Sequence, residues 1–313
     1  MSLVLGLEIT PRFVRGAFLK TALRGSEMEY YTEVAIPPAS EEQSTTAPLR
    51  AAVAEVLAEG SRPPDRIIAA LDGELASLRL IDLPLGVEKK IAEVLPGELE
   101  SLLPFEVSDA IVDYQIVGRD DVNLQLMTVA TPRNNVAERL RLLHAAGVDP
   151  RELAVGAASF DGLGPLLGEA LNDRTVLVID VGATSTDFAV LTDGQCTFAR
   201  TLSGGMDLVE SGRRTQLGSA LRRTLASYRA QRSEDPSQML LAGETAPMES
   251  ARRWLTEQLG IECGTVPVPS APGADDETAP RFAKAAALAG RASSRKRQLD
   301  RRQGEVAARA AAG

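Results

Sequence analysis

Residues 175–200, TVLVIDVGATSTDFAVLTDGQCTFAR, carry three apolar runs separated by short polar turns. Residues 175–180 are a continuous β-branched run of the kind a buried strand carries. Residues 186–191 and 196–200 predict two more strands. Asp193-Gly194 between them suits a tight hairpin turn. A second set of three runs opens the chain, at 3–9, 13–20 and 28–36. The two sets match in pattern rather than in residue identity, which predicts an internal duplication.

Helical periodicity appears at 47–59, 87–103, 133–146, 160–171, 208–232, 247–259 and 279–290. Pro96-Gly97 predicts a kink in the second of these. Further strands are expected at 66–71, 75–83, 113–117, 124–131, 151–158, 238–242 and 262–269. Trp254 is expected to contribute to the core. Alternation of strands and helices in this order predicts an α/β fold.

Composition narrows the class. A chain of 313 residues, 44% hydrophobic, buries a large core and suggests two domains or one duplicated one. The net charge of −9 argues against a general nucleic-acid binder. Cys196 and Cys263 are too few for a disulfide framework or a metal cluster. His144, the single histidine, stands near a helix end ahead of Gly147 and reads as a surface residue. The chain runs straight into a strand, so no signal peptide is expected. No window approaches 18 apolar residues, so no membrane span is expected either. Arg213, Arg214, Arg222, Arg223 and Arg229 read as a solvated helix face. Residues 291–313 begin with a strongly basic run, read either as a solvated end or as a juxtamembrane stretch drawn to anionic lipid.

The candidate chemistry lies in the central stretch. An aspartate at a strand end, a glycine two residues later and then small hydroxyl residues is an arrangement for meeting phosphate. Gly182 lets backbone approach closely, and the N–H groups and hydroxyls of residues 183–186 are donors for phosphate oxygens. Asp180 is the candidate metal ligand, holding a water on Mg²⁺. An ordinary hairpin with a small-residue turn is the competing reading.

The repeated strand-strand-strand-helix-strand-helix order, with Asp180-x-Gly182 at a hairpin, resembles the actin/Hsp70/sugar-kinase superfamily. Residues 79–131 narrow the resemblance. Leu103-Pro104-Phe105 and Val112-Asp113-Tyr114 are similar to the inserted subdomain of PilM, of type IV pilus assembly, and of GspL, of type II secretion. The resemblance implies duplicated actin-like (ribonuclease H-like) halves: 1–172, with an inserted subdomain at about 79–131, then 173–290, then a basic tail at 291–313. It implies a cofactor-binding set of Asp180, Gly182, Thr184, Thr186 and Gly243. The matching turn of the first half, Glu8-Ile9-Thr10-Pro11-Arg12, lacks a glycine and loses an N–H at Pro11. Ala242-Gly243-Glu244-Thr245 carries a carboxylate where such proteins have a glycine run. The nucleotide site is therefore expected to be degenerate, with no catalytic residue, no ATP hydrolysis, and ATP/Mg binding at most vestigial.

The implied role is a non-catalytic scaffold at the cytoplasmic face of a bacterial inner membrane. The GspL-like reading is preferred, with this chain the cytoplasmic part of a single-pass protein. A PilM-like switch that binds ATP is the alternative, and a sugar or acetate kinase is a weaker third. The implied partners are a GspE-like assembly ATPase, a GspM- or PilN-like membrane protein and a GspF-like platform protein, with a homodimer left open. Phe105 and Tyr114 are the candidate partner contacts, against a plain core role. Side chains of Glu8, Arg12 or Glu244 filling the space between the halves would argue against both nucleotide readings.

Overall fold

β1 (Ser2–Ile9), β2 (Phe13–Ala22) and β3 (Gly25–Ala35) form an antiparallel run in the computed structural model, which describes residues 1–22, 25–37, 46–232, 234–294 and 299. Helix α1 (Thr46–Glu59) then leads to β4 (Arg66–Leu71), which pairs parallel to β1. Leucine and valine fill both faces of β1, so this strand lies at the centre of its sheet. β5 (Ser77–Pro84), α2 (Ile91–Glu100), β6 (Ala110–Arg119) and β7 (Asn123–Pro132) make a separate unit with sheet order β5-β7-β6. Ile91, Leu95 and Leu99, one turn apart on α2, pack on Ile81, Leu83, Leu124 and Leu126 of that sheet. The chain returns through α3 (Arg133–Ala145) to β8 (Glu152–Val155), completing the order β3-β2-β1-β4-β8.

After the short α4 (Leu163–Leu167) the pattern starts again. β9 (Thr175–Val181), β10 (Ser185–Thr192) and β11 (Gln195–Ser203) are antiparallel. Asp193 and Gly194 both have positive φ, 51° and 70°, as a two-residue hairpin turn requires. α5 (Met206–Glu210), α6 (Arg214–Gln231), β12 (Gln238–Ala242), α7 (Glu249–Leu259) and β13 (Cys263–Thr265) follow. The order β11-β10-β9-β12-β13 repeats that of the first sheet, strand for strand.

The last α-helix among the described residues, α8 (Ala283–Gly290), crosses back to lie against β1, β2 and β4. Its alanines suit the distance. A Cβ on Gly6 of β1 would lie 1.9 Å from the Ala285 carbonyl oxygen, and one on Gly162 would lie 1.8 Å from that of Ala287. No larger side chain fits between these backbones.

Several elements differ from the sequence expectation. The helix expected at 208–232 is two helices, broken around Gly212 with its φ of 75°. The strand expected at 262–269 is three residues long, because Pro267 and Pro269 lack ladder donors. The strand expected at 151–158 ends at Val155, where Gly156 turns into a 3₁₀ segment. The helix expected at 87–103 opens with a 3₁₀ segment, Leu85–Lys90, and is α-helical only from Ile91 to Glu100. Trp254 is half-buried at the edge of the second core. Arg291, read with the basic tail, is buried: it donates to the Leu299 carbonyl at 2.5 Å and faces Glu152 at 3.5 Å. Residues 295–298 and 300–313 of the tail lie outside the described residues. Among the described residues, no helix is long and apolar enough to cross a membrane.

Candidate functional site: the cleft between the two sheets

The two hairpins β1–β2 and β9–β10 bring equivalent positions together. Glu8 faces Arg15 across the first hairpin, and Asp180 faces Asp187 across the second. Duplication thus delivers three carboxylates to one place. The Lys284 ammonium of α8 stands among them, 2.6 Å from Asp180 Oδ2, 2.9 Å from Asp187 Oδ2 and 3.8 Å from Glu8 Oε1. Burial disfavours the charged lysine, but Asp180, Asp187 and Glu8 together outweigh it and hold its pKa well above the ordinary value. Burial also raises the Glu8 pKa; Arg15 and Lys284 pull it back, while Asp180 and Asp187 push it further up.

A second cation group closes the other side. Arg15 is fully buried on β2. Its Nε donates to Glu33 at 2.6 Å, and its two terminal nitrogens lie 3.7 Å from Glu8 and 3.4 Å from Glu244. Arg12 also meets Glu244, and Arg281 donates to Glu33 at 2.9 Å. Glu244 follows β12, so Arg12 and Arg15 tie the first half to the second, as Lys284 does from α8.

The remaining cavity is about 120 Å³, lined by Glu8, Asp180, Thr184, Glu244 and Lys284 among others. Of the five cofactor-binding candidates, Asp180, Gly182 and Thr184 line it. Thr186 does not: it is buried, and its hydroxyl donates to the Gly204 carbonyl at 2.8 Å. Gly243 lies beneath Asp180, where a Cβ would stand 2.0 Å from Oδ1. The Gly182 N–H is spent on the Ser185 carbonyl at 2.9 Å.

The fold family implies a magnesium–nucleoside triphosphate in this cleft, and these residues do not fit one. Asp180, the candidate metal ligand, is held by an ammonium. A cation and Lys284 would compete for the same carboxylate oxygens. Nucleotide-sized sites run to roughly 300–1,000 Å³, well above what is left here. Glu244 also faces the space, its carboxylate already taken by Arg12 and Arg15.

Lys284, Arg15, Asp187 and Glu33 were not among the sequence candidates. A signal was present: Arg15 and Lys284 are lone charges in otherwise apolar segments, FVRGAFL and AKAAALAG. His144 is exposed beside Asp149, as its helix-end position predicts. Phe105 and Tyr114 are both half-buried but are not brought together. Phe105 lines a groove with Leu75, Pro104 and Pro132, and Tyr114 lines another with Leu95 and Pro96.

Comparison with known proteins places this architecture. A family model described as type IV pilus assembly protein PilM matches residues 6–217, more than half of the chain. The chain belongs to the PilM family. Among solved structures it is similar to one of a PilM–PilN type IV pilus biogenesis complex. That match is 24% identical, with a TM-score of 0.77, and covers 93% of this chain and 98% of the other. It is also similar to the cytoplasmic domain of EpsL, an inner-membrane component of the Vibrio cholerae type II secretion system. There the identity is 12% and the TM-score 0.56, over 97% and 99% of the two chains. The shared fold is that of actin-like ATPases.

Proposed function

We propose that this PilM-family member is an assembly scaffold at the cytoplasmic face of a bacterial inner membrane. It binds a PilN-like membrane partner and couples an assembly ATPase to the membrane part of the machine without hydrolysing nucleotide itself. The observation that carries this reading is the family match over residues 6–217, which takes in the first sheet, the inserted unit and the start of the second half. The match supports the pilus side over the GspL-like reading that the sequence had put first. Independence from nucleotide rests on the cleft, where Lys284 takes the carboxylates that a metal would need and Arg12 and Arg15 join the halves through Glu244.

The test is co-purification with the PilN-like protein of the same genome, with and without millimolar Mg-ATP. Co-elution under both conditions is expected. Retention of only a GspM-like protein would transfer the chain to a secretion machine. A complex that forms only with ATP would overturn the nucleotide-free mechanism.

A further inference from the structure

Helix α6 is charged against the trend of its chain. The whole chain carries a net −9, yet α6 has Arg214, Arg222, Arg223 and Arg229 and no aspartate or glutamate. Leu217, Leu221, Leu225 and Tyr228, three or four residues apart, are buried in the second core. That spacing turns Arg222 and Arg223 to solvent, on either side of a ridge of Ser219, Ala226 and Ala230. Arg213, after the turn at Gly212, and Arg214 are exposed where the helix starts. Their neighbours leave the charge standing. Arg222 donates to Ser219 at 3.0 Å and also meets Gln258, and Arg213 donates to Ser211 at 3.0 Å, all neutral groups. Among the described residues, none of Arg213, Arg214, Arg222 and Arg223 has a carboxylate within ion-pair distance, whereas Arg62, Arg119, Arg229 and Arg253, also exposed, each meet one. Of the acids on the adjoining helices, Asp207 accepts from the Gly205 N–H at 2.7 Å and Glu249 pairs with Arg253 at 2.7 Å.

Uncompensated arginines on an exposed helix face attract anions. Their spread says what kind. Arg214 and Arg223 lie about 13 Å apart along the helix axis, farther than one phosphate or carboxylate reaches, so the ligand is an array of anions. The ridge among them carries only serine and alanine. A protein partner, a second copy included, would find no apolar anchor to desolvate there. A planar bilayer needs no such anchor, and it touches one face while the acid carried elsewhere stays in solvent. We propose that the arginine face of α6 rests on the anionic phospholipid headgroups of a membrane and so sets the orientation of the second half on it. This rests on the scaffold reading for the presence of a membrane but for no protein partner. Vesicle binding is measured without the PilN-like protein, so failure of lipid binding and failure of partner binding are separate results.

The test is co-sedimentation of the full chain at low salt with vesicles of equimolar phosphatidylglycerol and phosphatidylcholine, beside vesicles of phosphatidylcholine alone. Binding to the anionic vesicles only is expected. It should weaken roughly twentyfold or more in Arg222→Gln with Arg223→Gln, at about fivefold per charge, and in the same direction in Arg213→Gln with Arg214→Gln. The basic run after Arg291 is the same in parent and variants, so the difference reports α6. Arg222→Lys with Arg223→Lys keeps the charge and is expected to bind as the parent does. Equal vesicle binding by the parent and both glutamine variants would overturn the proposal and leave lipid contact to the tail. A lysine variant as weak as the glutamine one would make these arginines structural and overturn it too. So would equally tight binding of a duplex oligonucleotide, or sedimentation without vesicles that the glutamine changes abolish, which would give the face to nucleic acid or to a second copy.

Discussion

At Lys284 one ammonium neutralises carboxylates supplied by both halves of a duplicated fold. The sequence showed Asp180 readily, because an acid at a strand end before Gly182 is a local pattern. It hid Lys284, which lies 104 residues further on in an alanine-rich helix and joins Asp180 only through the return of α8. Replacing Lys284 with methionine keeps the stem and leaves three carboxylates facing each other. Breaking a buried ion pair from one side costs about 3–5 kcal/mol, and with some solvent access the lower end is expected here. Lys284→Met should therefore lower urea-unfolding stability by about 3 kcal/mol, and Lys284→Met with Asp187→Asn should recover part of it. A single variant as stable as the parent would show that the cluster does not hold the fold. The pH dependence follows from the same groups. A lysine whose folded pKa lies above its unfolded value adds stability that is complete below about pH 10.4 and is lost as pH rises through the folded value. Tyr228, pushed up to about 12 by burial, acts in the same direction. Stability is thus expected to fall on the alkaline side, less steeply in Lys284→Met, in Tm measurements from pH 8 to 12. Identical slopes would contradict the assignment. Glu8 behaves as a buried acid: its raised pKa adds stability at acid pH that declines as pH rises through its folded value.

The elements show where local pattern suffices and where it does not. Both three-stranded runs and the duplication were legible, since each strand carries its own hydrophobic signature and the hairpins their own turn residues; the inserted unit was implied only by the family resemblance of residues 79–131. The break between α5 and α6 was not, because a glycine inside a periodic run is compatible with helix until packing selects the positive φ of Gly212. The role of α8 was also hidden: alanine content says that something approaches closely, but not what. Gly6 tells that story from the strand side. Gly6→Ala should displace α8 or unfold the chain, costing about 3 kcal/mol or more, as overpacking against backbone does. Gly97→Ala is the counterpart. Gly97 lies within α2 with nothing within 4 Å of its added Cβ, so it should gain about 0.5–1 kcal/mol from helix propensity alone. Urea denaturation of the two variants checks both signs, and a tolerated Gly6→Ala would mean that α8 does not seat on β1 as described.

On the scale of the whole molecule, the ion pairs decide whether the two halves move. In an actin-like fold, a ligand between the halves shifts their closure only through differential affinity for the open and closed forms. Here the two halves are already cross-linked by ion pairs. Lys284 bridges to Asp180 and Asp187 on one side of the cleft, and Arg12 and Arg15 bridge to Glu244 on the other. Close approach joins the halves as well: a Cβ on Gly73, after β4, would stand 1.8 Å from the Thr201 hydroxyl of β11. A nucleotide would have to break the latch, displace the ammonium and enlarge a cavity of about 120 Å³ before making a favourable contact. Calorimetry with millimolar Mg-ATP is therefore expected to give no binding heat, and the radius of gyration from X-ray scattering should not change when Mg-ATP is added. Binding that disappears in Asp180→Ala, or a nucleotide-dependent change in radius, would mean that the latch opens readily and that the chain works as a nucleotide switch. No heat and no change would leave the partner proteins as the source of any motion, with the two halves carried as one rigid body.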